Sequence, residues 1–385
     1  MQQSVSPILY AGIDDRELDL FESHYRIPHG VSYNSYIIID EKIAVTDAVD
    51  ARFVKTWLNQ IDTLLKDRAP DYLIVHHMEP DHSAGILSFM EKYPSATVVS
   101  SAKSFAMMKQ FFKTDFADRR IQVSDGSELV LGEKKLTIIA APMVHWPEVL
   151  MSYLSGVGAL FSADAFGKFG TLDTREPWDD EARRYYIGIV GKYGAQVQAV
   201  LKKAAALSIH LICPLHGPAL EGDLSHYLDL YDKWSRYESE ERGVTVAYTS
   251  VYGHTREAAE KLAESLRISG ETVSLYDLSR DDMAAAVADA FRYDRLVLAT
   301  TTYNMEIFPP MREFLSELSE RGFKDRTVGL IENGTWAPAA AKKMVEKLSE
   351  LKDIRILEPT VTIRSSLDGQ SEATLQALTS ALKSE

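Results

Sequence analysis

Cysteine is almost absent from this chain: among 385 residues there is one, Cys213. Within these residues that excludes an internal disulfide, a thiolate-rich zinc site and a four-cysteine iron site of the rubredoxin type. Without a disulfide framework the default compartment is the cytoplasm. Cationic charge is also short: 42 Lys and Arg stand against 56 Asp and Glu, for a net charge of −14. That balance argues against nucleic acid and anionic membrane surfaces as partners. No apolar run approaches the ~20 residues of a membrane span. Met1-Gln2-Gln3-Ser4 shows no basic segment leading into an apolar one, so no secretory leader is expected. Internal repeats and low-complexity tracts are missing too.

The hydrophobic content, 45%, is that of a globular protein, and 385 residues exceed one ordinary core, so two domains are expected. One stretch stands out: His76-His77-Met78-Glu79-Pro80-Asp81-His82 packs three imidazoles and two carboxylates into seven residues. It follows an apolar run at 72–75 and precedes a helix-like start at 83–87, which places it at a strand end, where a rigid scaffold carries a variable loop. Pro80 is expected to keep the segment out of a regular helix. In an extended loop His77, Glu79 and Asp81 then point one way while His82 turns in behind them. A solvated polar loop is the plainer alternative, but imidazoles and carboxylates at this density suit a metal better.

The pattern recurs along the first 240 residues. Residues 31–40 and 42–47 read as two antiparallel strands, and 50–66 as a helix. His145 follows a strand at 136–141, Asp164 one at 159–162, and His216 one at 209–214. Four strand ends bearing metal-binding side chains suggest one site on one edge of a sheet sandwich. The charged run Trp234–Gly243 reads as an inter-domain linker. Beyond it the pattern alternates β and α, with strands at 244–248, 272–276, 295–300 and 327–331, a split fifth at 354–357 and 361–363, and helices at 255–267 and about 370–383. That is the size and order of a doubly wound, flavodoxin-like sheet.

Three loops at strand ends of this second part are rich in hydroxyls and aromatics: Thr249-Ser250-Val251-Tyr252-Gly253-His254-Thr255, Thr300-Thr301-Thr302-Tyr303-Asn304 and Glu332-Asn333-Gly334-Thr335-Trp336. The first opens a helix, whose N–H groups and dipole favour a phosphate. Tyr303 and Trp336 are placed to flank a planar heterocycle. No Gly-x-Gly-x-x-Gly follows the first strand, which argues against a dinucleotide.

His77-x-Glu79-x-Asp81-His82, with His145, Asp164 and His216, resembles the metallo-β-lactamase fold, and within it the flavodiiron proteins. The loop at 249–255 resembles the flavodoxin phosphate loop. Together the two resemblances cover essentially the whole chain. They imply an N-terminal αββα sandwich over 1–240 and a flavodoxin-like FMN-binding domain over 244–385. The zinc hydrolases of the first fold carry a second His where this chain has Glu79, and carboxylate for imidazole moves metal preference towards iron or manganese. The resemblance implies that His77, Glu79 and His145 hold one iron, that Asp81, His82 and His216 hold the other, and that Asp164 bridges them. His76 is opposite in phase and is read as structural. Trp146, His24 and Tyr25 are candidate pocket walls.

The implied activity is reduction of dioxygen to water, of nitric oxide to nitrous oxide, or of both, with FMN passing electrons to the irons. The implied assembly is a head-to-tail homodimer, or a dimer of such dimers, in which the FMN of one copy meets the metals of the other. The implied donor is external: a rubredoxin with its NAD(P)H-dependent reductase. A metal-dependent hydrolase carrying a passenger electron-transfer domain is the rival reading, and Glu79 is the residue that discriminates.

Overall fold

The computed structural model describes residues 7–384. It divides into two compact units, one up to Asp232 and one from Lys233 onward. The division falls inside the helix Ser225–Arg236. The run expected as a linker is therefore mostly structured: the helix continues to Arg236 and a strand, Glu241–Tyr248, starts five residues later. Among the described residues no helix is long and apolar enough to cross a membrane.

The first unit is an αββα sandwich of two six-stranded sheets. One sheet runs in the order Ile8–Tyr10, Tyr36–Ile39, Ile43–Thr46, Tyr72–Ile74, Thr97–Ser101, Arg120–Val123. Its first three strands pair antiparallel and the remainder parallel. The hairpin expected at 31–47 is present, but Asn34-Ser35 interrupts its first strand, giving Val31–Tyr33 and Tyr36–Ile39. The other sheet runs Glu128–Val130, Lys135–Ala140, Leu150–Leu154, Ala159–Phe161, Leu211–Cys213, Leu220–Glu221. Strand alternation builds the core. Ile74 and Val99 meet Leu136, Ile138, Leu150 and Phe161 from the facing sheet, while their neighbours Leu73 and Val98 are buried on the opposite side. Full burial of such side chains stabilises by roughly 1.5–3 kcal/mol each.

The second unit is a parallel sheet in the order Val273–Asp277, Glu241–Tyr248, Tyr293–Tyr303, Arg326–Asn333, with Ile354–Ile356 and Val361–Ile363 both beside the last. The first strand lies between the second and third, so the order reverses there, and the loops at that switch form the ligand crevice of such sheets. Helices His254–Ile268 and Gly369–Ser384 cover one face, placing Leu262, Leu266, Leu375 and Leu378 on Val246, Val297 and Ile331. Met283–Arg292, Pro309–Glu320 and Ala340–Leu348 complete the winding.

Candidate metal centre and cofactor pocket

The 76–82 stretch leaves the strand Tyr72–Ile74 as a loop and ends in a short helix, Pro80–Ser83. Pro80 does not keep the segment out of a helix. It starts one, at the first helical position, where its missing N–H costs nothing. Glu79 precedes the helix in an extended conformation, and Asp81 and His82 follow on its first turn. This turn, rather than a simple alternation, sends His77 and Glu79 to one group and Asp81 and His82 to another.

The first group gathers His77, Glu79, His145 and Asp164. Glu79 Oε2 lies 3.2 Å from His77 Nε2 and 3.0 Å from His145 Nε2. Asp164 Oδ2 lies 3.1 and 3.2 Å from the same two nitrogens, which are 3.3 Å apart. The second group gathers Asp81, His82 and His216. His82 Nε2 and His216 Nε2 are 2.9 Å apart, and Asp81 Oδ2 stands 3.3 and 3.4 Å from them. Asp164 turns its other oxygen, Oδ1, towards this pair at 3.6 and 3.8 Å. Donors held ~2.0–2.2 Å from a common ion are separated by about 3.0–3.4 Å, close to the spacing within each group.

The tautomers fit as well. His77 Nδ1 donates to Glu148 Oε1 at 2.8 Å and His216 Nδ1 to the Ser32 carbonyl at 2.7 Å, which leaves each Nε2 lone pair facing inward. Both oxygens of Asp81 and of Asp164 are buried without a hydrogen-bond partner among the described residues. Buried orphan carboxylates are rare unless a cation answers them.

Charge in the cluster is strongly perturbed. Burial disfavours a protonated His77, but Asp164, Glu148 and Glu79 outweigh it and hold its pKa well above the ordinary imidazole value. His145 behaves alike, raised to about 9 against burial by Asp164 and Glu79. Burial would raise Glu79 and Asp164, yet the imidazoles around them hold both well below the usual carboxylate range. His82 is lowered by burial, whereas His216 is raised against burial by Asp81. Without metal, imidazolium charge stands in for the cation. Metal uptake must therefore release protons.

His76 stays out of the cluster. Its Nδ1 donates to Asp47 Oδ2 at 2.6 Å, and its Nε2 accepts from Ser152 at 2.8 Å. Asp47 also accepts from the backbone N–H groups of His76 and His77 at 2.7 and 3.3 Å, fixing the start of the loop. Trp146 sets its ring edge-on to His77, with centroids 5.2 Å apart. Tyr25 donates to the Gly188 carbonyl at 2.9 Å and its ring lies 5.8 Å from that of Phe169. His24 is exposed and packs on Tyr25. Phe21 and Tyr185 press on His216 at 5.3 and 5.5 Å, making that end of the cluster apolar. Glu148 and Glu22 were not foreseen. The first closes the run His145-Trp146-Pro147-Glu148, which also resembles the flavodiiron proteins, but its contact with His77 does not show in the sequence. The second sits at the tip of the hairpin formed by Leu20–Phe21 and Tyr25–Arg26, where its carboxyl, partly shielded from water and close to Glu79, is pushed up to about 7.

In the second unit the three strand-end loops enclose a cavity of about 690 Å³, within the range of small-molecule sites. Ser250, Val251, Tyr252, His254, Thr255, Thr301, Thr302, Tyr303, Asn304, Asn333, Gly334, Thr335 and Trp336 line it. Thr249 and Gly253 shape the loop instead. Thr249 is buried, bonded to Thr300 through their hydroxyls at 2.7 Å. Gly253, at φ 96°, makes the left-handed turn into the helix His254–Ile268, and its N–H donates to Ser250 Oγ at 3.1 Å. Thr302 Oγ1 accepts from the N–H groups of Ala339 and Ala340 at 2.9 and 3.1 Å, holding the start of the helix Ala340–Leu348. Tyr252 and Trp336 are 91% and 85% exposed, so two aromatic faces stand open at the rim. Met305, Ala337 and Ser365 also line the cavity. Ser365 follows the strand Val361–Ile363, so the strand-end rule reaches it too. A hydroxyl-lined helix N-terminus for phosphate and open aromatic walls for a ring fit FMN.

Two family models match: ODP family beta lactamase over residues 31–217 and flavodoxin over residues 246–378. A diflavin flavoprotein of Synechocystis is 32% identical over 275 residues, 70% of this chain and 47% of that protein. The chain thus spans about half the length of that relative. A nitric oxide reductase of Moorella thermoacetica is 28% identical over 93% of this chain and 92% of its own. Among solved structures, the rubredoxin oxygen:oxidoreductase of Desulfovibrio gigas superposes with a TM-score of 0.91 at 22% identity, covering 99% of this chain and 98% of the other. The flavodiiron protein of Giardia intestinalis gives 0.90 at 24%, covering 100% and 96%.

Proposed function

The chain belongs to the flavodiiron proteins, and from that premise we propose that it is an oxidoreductase that reduces dioxygen to water, nitric oxide to nitrous oxide, or both, using a non-haem diiron centre and FMN. The observation that carries the reading is Asp164, whose two oxygens face two separate donor groups, as a carboxylate shared by two ions must. Glu79 in place of an imidazole supports iron over zinc.

Bound at these positions, the irons would supply redox change and open coordination for a diatomic gas, and FMN would supply electrons one at a time. The protein's part is binding and exclusion. His77, Glu79 and His145 would hold one ion, Asp81, His82 and His216 the other, and Asp164 both. Phe21 and Tyr185 keep water from the His216 side, and Trp146 walls the His77 side. An apolar diatomic enters such surroundings more readily than water does. Ser250, Thr255 and the N-terminus of His254–Ile268 would hold the FMN phosphate, with Tyr303 and Trp336 beside its ring. The open rim at Tyr252 and Trp336 supports closure by a second copy, head to tail, with dimers of such dimers as the larger form. Electrons would come from a rubredoxin-type carrier charged by an NAD(P)H-dependent reductase, and a single cysteine in 385 residues favours a detoxifying role in the reducing cytoplasm.

The test is metal and flavin analysis followed by stopped-flow oxidation of the reduced protein by each gas. Two irons and one FMN per chain, with rapid oxidation by at least one gas, is the expected result. Two zincs with esterase turnover, or no oxidation by either gas, would overturn it.

A further inference from the structure

The two ends of the metal cluster are backed by different groups. Behind His77 stands Glu148, fully buried, with Oε1 accepting from His77 Nδ1 at 2.8 Å and from the Met78 backbone N–H at 2.9 Å. Its Oε2 has no hydrogen-bond partner among the described residues. Behind His216, among the described residues, stands the neutral carbonyl of Ser32, at 2.7 Å. His82 Nδ1 has no partner among the described residues. A carboxylate behind an imidazole draws on its proton and makes the far nitrogen a stronger donor, more than a neutral carbonyl does. Glu148 lies three residues after His145, so one short segment supplies an imidazole of the first group and the anion behind the other imidazole of that group. A buried carboxylate with an idle oxygen is poorly explained by stability, since an uncharged residue would avoid the desolvation.

We infer that Glu148 is a positioning residue that makes the two metal positions unequal: the position bounded by His77, Glu79 and His145 binds its ion more tightly and fills first, and the position bounded by Asp81, His82 and His216 fills second. The inference rests on the metal-binding reading of these residues and is independent of which gas is reduced.

Metal-free, flavin-loaded protein is titrated anaerobically with ferrous ion by calorimetry, alongside Glu148→Gln, which keeps the acceptor oxygen and the shape but removes the charge. Wild type is expected to take up two ions in two resolved steps. In the variant the first step should weaken roughly 10–100-fold while the second changes little, so the steps merge. Mössbauer spectra at one equivalent of ⁵⁷Fe should show one environment in wild type and a mixture in the variant. Equivalent steps in wild type, or equal weakening of both steps in the variant, overturn the inference. Uptake of fewer than two ions by wild type overturns the underlying metal reading instead. Should the variant fail to fold, wild-type crystals given one equivalent of Mn²⁺ decide the question: anomalous density belongs at the His77 position, and density at the His216 position refutes the ordering.

Discussion

His82 Nε2 and His216 Nε2 lie 2.9 Å apart in a buried pocket, too close for both to carry a proton. Burial lowers the basicity of His82, and Asp81 raises that of His216 against burial, so the metal-free pair holds its proton on one side. A cation offers a use for both lone pairs. Replacing His216 with Ala should leave the His77 group intact, reduce bound metal from two ions to about one per chain, and weaken uptake at the lost position by at least ~100-fold. Metal analysis by mass spectrometry checks this. Retention of two tightly held ions would remove His216 from the ligand set.

The metal-free protein should lose stability as pH rises. In the unfolded chain His145 titrates near ~6.5, whereas in the fold it is raised to about 9. The folded state thus binds that proton more tightly. Its stabilisation is complete below about pH 6.5 and disappears as pH climbs through about 9, an effect on the order of 3 kcal/mol. Metal occupies the same nitrogen, so the loaded protein should not show the decline. Thermal unfolding between pH 6 and 10, with and without metal, gives the answer. A metal-free midpoint that rises over this interval contradicts the sign.

The phosphate loop makes a separate prediction. Thr255 Oγ1 lies 3.0 Å from Thr301 Oγ1 at the mouth of the helix His254–Ile268. A hydroxyl bond to a charged phosphate contributes about 1.5–3 kcal/mol. Thr255→Ala should therefore weaken FMN binding by roughly 10–100-fold, and Thr255→Ser should restore most of it. Fluorescence quenching of free FMN reads both. Unchanged affinity in the Ala variant would place the phosphate elsewhere.

How far the sequence reaches depends on whether a property is local. A side chain at a strand end is local, and His77, His145, Asp164 and His216 all stand at or just beyond strands recognisable from apolar runs. The flavin loops are legible for the same reason. The helix at Pro80–Ser83 is also local, but proline has two readings: it breaks a helix interior and begins a helix at its first position, and here the second holds. Glu148 is a different case. Its partner His77 is 71 residues earlier, so its role exists only once the two sheets are assembled. The π-turn at Tyr186–Val190 that separates the helices Trp178–Tyr185 and Gly194–Ala204 likewise has no signal in spacing, since Tyr25 reaches the Gly188 carbonyl from 163 residues away.

The assembly can be tested by mixing two crippled chains. Asp164→Asn removes the shared carboxylate and should abolish the metal pair while leaving the flavin loop untouched. Ser250→Asp puts a carboxylate into the loop whose backbone would meet phosphate, and like charge should expel FMN. Each variant alone should be inactive. If electrons crossed within a chain, the mixture would stay inactive, because no chain keeps both centres. In a head-to-tail dimer a hybrid brings the flavin of the first variant to the metals of the second, restoring one of its two sites. Random re-pairing makes about half the dimers hybrid, so about one quarter of wild-type oxidation should return. Denaturation and co-refolding with both cofactors, followed by turnover with either gas, measures it. No recovery, from a mixture shown by mass spectrometry to contain hybrids, would refute the head-to-tail arrangement.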